Sequence, residues 1–194
     1  MFSDHGVLQR DLPIPVWGWA APGERVTVRL AGHAAAATAD AGGAWRVTLP
    51  ALPAGGPHEM IVVGAETLTV SDLLIGEVWV CSGQSNMQWT VASCDVEAEI
   101  QGAQYPQIRH LAVPNIPSME PKAEITAGWQ VCSPATVPGF SAVAYFFGRE
   151  LHRALGVPIG LINTSWGGTV AEAWTSLEAL QAEPELQGIV ALLE

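Results

Sequence analysis

Positive charge is scarce in this chain of 194 residues: eight Lys and Arg stand against nineteen Asp and Glu, for a net charge of −11. Nucleic acid and anionic membrane surfaces both need a basic face on their partner, so the charge balance argues against either. Cysteine is scarce too. Cys81, Cys94 and Cys132 make an odd, small set that builds no disulfide framework and matches no zinc-site spacing. Cys81 ends an apolar run and reads as a buried free thiol. Cys94 and Cys132 can pair only in an oxidising compartment, and the sequence does not establish that they do. No apolar run reaches the roughly 18 residues that a membrane-spanning helix requires. The opening MFSDHGVLQRD carries no charged-then-apolar leader and reads as folded protein.

What the chain has in quantity is apolar side chains. Hydrophobic residues make up 49% and charged residues only 14%, enough to pack a core and too apolar for disorder. The length allows one domain or two small ones. Eight Trp is a high number. An indole face suits a sugar ring, although a core position accounts for most tryptophans.

The pattern changes near residue 72. Before it, Arg25 to Leu30 and Ala44 to Leu49 alternate polar and apolar residues, with Val26, Val28 and Leu30, then Trp45, Val47 and Leu49, on one face. Turn signals separate them at Ala21-Pro22-Gly23, at Asp40 to Gly43 and across Pro50 to Pro57. Short strands at such spacing predict a β-sandwich over 1–72, read as an accessory or spacer domain. From Leu73 to Cys81 runs a continuous apolar strand. A helix is expected over Ser93 to Ala103, a strand over Ile108 to Val113, and a helix over Ser141 to Leu155 that stops at Gly156-Val157-Pro158. Another strand follows at Ile159 to Ile162. Alternating strand and helix over 73–194 predict an α/β domain with a doubly wound parallel sheet. The Pro-rich segment from Pro114 to Gly139 interrupts it, and a loop of that length is usually functional or mobile.

Two turns carry candidate chemistry. Gly83-Gln84-Ser85-Asn86-Met87 follows the Leu73–Cys81 strand, so Ser85 is expected beyond a carboxyl end of the sheet, where ligands bind in open α/β folds. The residue type and position suit a nucleophile, and they equally suit a helix N-cap. Asn163 to Thr169 follows the next strand and so lies at the same edge. Its paired glycines, Gly167 and Gly168, bare backbone N–H groups that can hold an oxyanion, or simply make a turn capped by Thr169.

These residues carry a resemblance. SGQSNMQW (Ser82 to Trp89), FSAVAYFFGRELH (Phe140 to His152) and GLINTSWGGTVAEAW (Gly160 to Trp174) resemble successive blocks of the acetylesterase branch of the SGNH hydrolase superfamily. VLQRDLPIPVWGWAAPGERVTV (Val7 to Val28) resembles the N-terminal β-domain of its sialate O-acetylesterases. The resemblance implies a serine esterase acting on acetylated carbohydrate and needing no metal or cofactor. It makes Ser85 the nucleophile and gives the oxyanion hole the N–H of Ser85 with Gly167 or Gly168. The resemblance also makes Gln84, Asn86 and Trp166 candidates to line the site, with Gln84 and Asn86 fixing the turn. A secreted or periplasmic location goes with the family.

One element of that pattern is missing. The family draws its base from an Asp-x-x-His, and none of His5, His33, His58, His110 and His152 stands three residues after an Asp. His152 is expected on a solvated helix face, and His110 on a strand as packing. A serine without an imidazole beside it is a poor nucleophile at neutral pH. The expectation is therefore that 73–194 is the N-terminal portion of its catalytic domain. A carbohydrate-binding or structural fragment without catalysis is the alternative of a different class, and an acetylxylan esterase-like activity the nearer one.

Overall fold

The computed structural model describes residues 1–118 and 120–191. Among the described residues ten strands and five α-helices follow one another. They are β1 (Val7–Gln9), β2 (Ile14–Trp19), β3 (Arg25–Leu30), β4 (His33–Thr38), β5 (Ala44–Leu49), β6 (Gly55–Val63), β7 (Thr67–Cys81), α1 (Ser85–Gln88), α2 (Glu97–Gly102), β8 (Tyr105–Ala112), β9 (Gln130–Cys132), α3 (Ala142–Leu155), β10 (Ile159–Asn163), α4 (Leu177–Ala182) and α5 (Gln187–Val190). Short 3-10 turns fill several gaps, among them Val91–Cys94 and Ala171–Trp174.

Alternation sets the first half. Val26, Val28 and Leu30 of β3 and Trp45, Val47 and Leu49 of β5 are buried, while Arg25, Arg29, Arg46 and Thr48 face solvent. β2 and β5 form a two-stranded antiparallel sheet, and its inner residues share one core with β3, β6 and the first part of β7. The Asp40 carboxylate closes the turn before β5 by accepting from the N–H groups of Gly42 and Ala44, at 2.8 and 3.0 Å.

β7 is the spine of the molecule. Through Ile75 it pairs antiparallel with β6, and at Leu74 to Gly76 it pairs in parallel with β1. From Glu77 to Cys81 it pairs in parallel with β10, whose other edge carries β8, also parallel. The sheet order is β4-β3-β6-β7-β10-β8-β9, with β9 antiparallel to β8. The architecture is mixed α/β. The change of pattern at residue 72 falls inside this continuous strand, at Asp72, whose φ is +54°. The Pro-rich segment contains β9 and ends in a 3-10 turn at Val137–Gly139.

Helix α3 covers one face of the parallel strands. Its cap is Ser141, whose hydroxyl accepts from the Ala144 N–H, and Gly156 ends it. The helix expected over Ser93 to Ala103 is shorter than that: Asp95 turns left-handed and divides it into a 3-10 turn and α2. All three cysteines are free thiols. Burial raises the pKa of Cys81, and carries that of Cys132 to about 12, which leaves both unreactive at neutral pH.

An ion pair between a buried arginine and a half-buried aspartate joins the two parts of the sheet. Arg109 of β8 is 4% exposed and donates to both oxygens of Asp72, at 2.7 and 3.2 Å, and to the Pro106 carbonyl at 2.8 Å. His5 reaches the same carboxylate at 2.7 Å. The hydrogen bond from Arg109 is the main reason the Asp72 carboxyl titrates below its usual range. Arg109→Met should lower the unfolding free energy by about 2 kcal/mol, less than for a fully buried pair, because Asp72 can rehydrate. Urea denaturation of the two proteins measures it; a change within error would make the pair energetically idle.

Candidate active site

Parallel pairing of β7 with β10 sets Cys81 opposite Asn163, so the chains that leave these two strands emerge side by side. The Thr164 N–H donates to the Cys81 carbonyl at 3.0 Å and the Trp166 N–H to the Gly83 carbonyl at 2.9 Å. Gly83 adopts a φ of +146°, and a Cβ there would press on Met87 at 2.8 Å. That position needs glycine, and its conformation turns the chain into α1 with Ser85 at the first helical residue.

Ser85 is not the cap of that helix. Gln84 holds the cap position and no side chain caps it, so the Ser85 hydroxyl is not spent on an orphan N–H. Ser85 is exposed, and among the described residues none hydrogen-bonds its Oγ. It lies over the glycine turn: a Cβ added to Gly167 would come within 3.3 Å of Ser85 Oγ and 2.8 Å of Gln88 Oε1. A side chain at position 167 would have to displace the Gln88 carboxamide and crowd the Ser85 hydroxyl.

Side chains fasten the two turns together. Gln84 Nε2 donates to the Thr169 carbonyl at 2.9 Å, and Gln88 Oε1 accepts from the Gly167 N–H at 2.7 Å. Thr169 is not a helix cap; its hydroxyl donates to the Trp166 carbonyl and accepts from the indole N–H of Trp174. Asn163 braces the start of the glycine turn, its Oδ1 accepting from both the N–H and the hydroxyl of Ser165. Gly168, at φ +78°, is exposed and has open space around it. Asn86 is exposed, and Trp166 is half-buried.

The structure thus brings together Gln84, Ser85, Trp166, Gly167 and Gly168, with Asn86 on the same turn. Sequence reasoning missed Gln88 and Trp174. Gln88 stands three residues after Ser85 on the same short helix, a spacing that was legible. Trp174 ends the 3-10 turn Ala171–Trp174, and its return toward Thr169 had no local signal.

None of the five histidines hydrogen-bonds Ser85. His5 is bound to Asp72, and His33 and His58 belong to β4 and β6 in the first half. His152 is half-buried rather than solvated, its Nδ1 2.8 Å from the Val157 carbonyl and its ring edge-on to Tyr105. His110 is buried, its ring 4.4 Å from that of Phe140. Among the described residues no cluster of His, Cys, Asp and Glu is arranged to hold a metal ion, and no helix is long and apolar enough to cross a membrane.

No family model matches the chain. It is 35% identical over 188 residues to the sialate O-acetylesterase of Mus musculus and 36% identical over 191 residues to that of Homo sapiens, each match covering 86% of this chain. The chain spans about a third of the length of these relatives, 35% and 36%. The crystal structure of a novel carbohydrate acetylesterase from Xanthomonas citri superposes with a TM-score of 0.90 at 41% identity, over 96% of this chain and 44% of that one. The mixed sheet with its parallel strands is consistent with an SGNH-like hydrolase fold. Over the stretch that matches, the chain belongs to the sialate O-acetylesterase family.

Proposed function

We propose that this chain carries the nucleophile half of a carbohydrate O-acetylesterase site, with Ser85 as the attacking residue. The observation that carries the reading is the uncommitted Ser85 hydroxyl held directly over the glycine turn. Ser85 Oγ adds to the acetyl carbonyl, and the resulting oxyanion is held by backbone N–H groups of Ser85 and of Gly167 or Gly168. Collapse of the tetrahedral intermediate expels the sugar hydroxyl and leaves an acetyl-serine, which water then hydrolyses. The steps call on no metal or organic cofactor.

The proton of Ser85 needs an acceptor, and we propose that an imidazole outside residues 1–194 supplies it. Residues 73–194 then form the N-terminal portion of the hydrolase domain, and 1–72 an accessory β-sandwich. An apolar stripe supports the first of these assignments. Trp79 of β7 and Val143 and Phe147 of α3 are 43%, 49% and 40% exposed, and the rings of Trp79 and Phe147 meet edge to face at 5.1 Å. Such a stripe along a strand and its covering helix is what a further packed element buries. A sugar as substrate is supported by two exposed indoles that flank the nucleophile turn. Trp89 follows α1, and Trp174 is tied to Thr169 of the glycine turn.

Acetate release from O-acetylated sialosides and from acetylated xylo-oligosaccharides, each compared with Ser85→Ala, tests the reading. Release that depends on Ser85 is expected from at least one of them. Sugar binding without release, in a form of the protein that includes an Asp-x-x-His, would assign the molecule to carbohydrate binding instead.

A further inference from the structure

The two glutamines that bracket Ser85 are anchored in opposite senses. Gln84 donates through its amide nitrogen, whereas Gln88 accepts through its oxygen, taking the Gly167 N–H at 2.7 Å. The backbone donor beside the nucleophile therefore already has an acceptor, while the N–H of Gly168 has none among the described residues.

Resting on the esterase reading above, we propose that Gln88 is a positioning residue that reserves the Gly167 N–H for the transition state. A carboxamide oxygen, fed by the nitrogen lone pair, is a stronger acceptor than a neutral ester carbonyl, so an arriving acetyl group gains nothing by displacing Gln88. An oxygen that has taken up the ester's π electrons is a different acceptor, since charge-assisted hydrogen bonds are roughly twice as strong as neutral ones. Exchange of Gln88 for the substrate oxygen is then favourable only once charge has developed. The carboxamide it releases is at the surface, where water satisfies it. Interactions made only in the transition state raise kcat, whereas those made equally in the ground state lower KM.

Kinetics on aryl acetate, with the protein in its active form, reads the difference. Gln88→Ala opens the donor to ground state and transition state alike, so KM and kcat should fall together by about fivefold, with kcat/KM within about threefold of the parent. Gln88→Glu keeps an acceptor but gives it a charge, and should lower kcat by at least about tenfold, recovering as the pH drops toward the carboxyl pKa. A raised KM with a fall in kcat/KM in Gln88→Ala would show a merely structural residue and overturn the proposal. Amide hydrogen exchange gives a second readout that needs no turnover. Gly167 should exchange at least about tenfold faster in Gln88→Ala and regain protection in Gln88→Glu. Unchanged exchange at Gly167 overturns the proposal whatever the kinetics. Absence of Ser85-dependent turnover, with exchange accelerated as expected, overturns the esterase reading and the reserved-donor role with it, and leaves Gln88 a clamp on the turn.

Discussion

Residues 1–194 on their own should hydrolyse an aryl acetate no better than about 10³–10⁴-fold over water, the residue that oxyanion donors and binding leave when a triad is incomplete. Ser85 stands over the glycine turn with a free hydroxyl, but no histidine among the described residues hydrogen-bonds it. At neutral pH an unassisted serine hydroxyl is almost wholly protonated, and its attack must expel that proton into water. A form of the protein that extends to an Asp-x-x-His should turn over orders of magnitude faster. Ser85→Ala in that form should bring kcat down by about 10⁶-fold, the scale of nucleophile removal in serine hydrolases, with the melting temperature little changed because the side chain is exposed. The comparison needs three proteins in one assay: the 194 residues, the longer form and its Ser85→Ala variant. Ser85-dependent turnover by the 194 residues approaching that of the longer form would defeat the proposal, and His110 would then be the first residue to replace.

What was legible in the sequence was whatever a short window decides. The alternation in β3 and β5 named the buried face of each residue by residue, because a strand packed on one side has no other arrangement. Ser141 and Gly156 marked the ends of α3 because capping is local chemistry. The nearness of Ser85 and Gly167 also followed from topology, since both turns leave adjacent parallel strands at the same end. Pairings that join distant parts of the chain were not legible. β7 reads as an apolar run that begins at Leu73, yet the strand starts at Thr67, and its polar first half is held by β6 rather than by its own pattern. The bond from Gln88 to Gly167 spans 79 positions and depends on the rotamer of one glutamine. The same holds for Asp72 and Arg109, which stand 37 positions apart and meet only in the fold.

Stability should fall by about 3 kcal/mol between pH 7 and pH 4 on account of a single residue, His110. It lies on β8 opposite Leu161, is 3% exposed and packs on the Phe140 ring, and its Nε2 has no hydrogen-bond partner among the described residues. Burial is the cause of its low pKa, pulled from the ordinary 6.5 down to about 4. The sign follows from where each state binds the proton. In the unfolded chain the imidazole protonates as the pH drops through 6.5, while in the folded protein it stays neutral until about 4, so stability is lost progressively across that window. Below it both states are protonated, and His110 adds no further loss. Asp72 and Glu99, both held low by arginine hydrogen bonds, also lose stabilising charge in acid, but they do so alike in any variant at position 110. His110→Leu should therefore remove about 3 kcal/mol from the difference between unfolding free energies at pH 7 and pH 4, and leave the remaining acid dependence in place. Denaturant titrations of the two proteins at both pH values measure it; equal pH dependence would mean that the native imidazole takes up its proton as freely as the unfolded one. The same burial bears on catalysis. A general base works best with a pKa near the operating pH, so an imidazole that protonates only near 4 is a weak acceptor for the Ser85 proton at neutral pH.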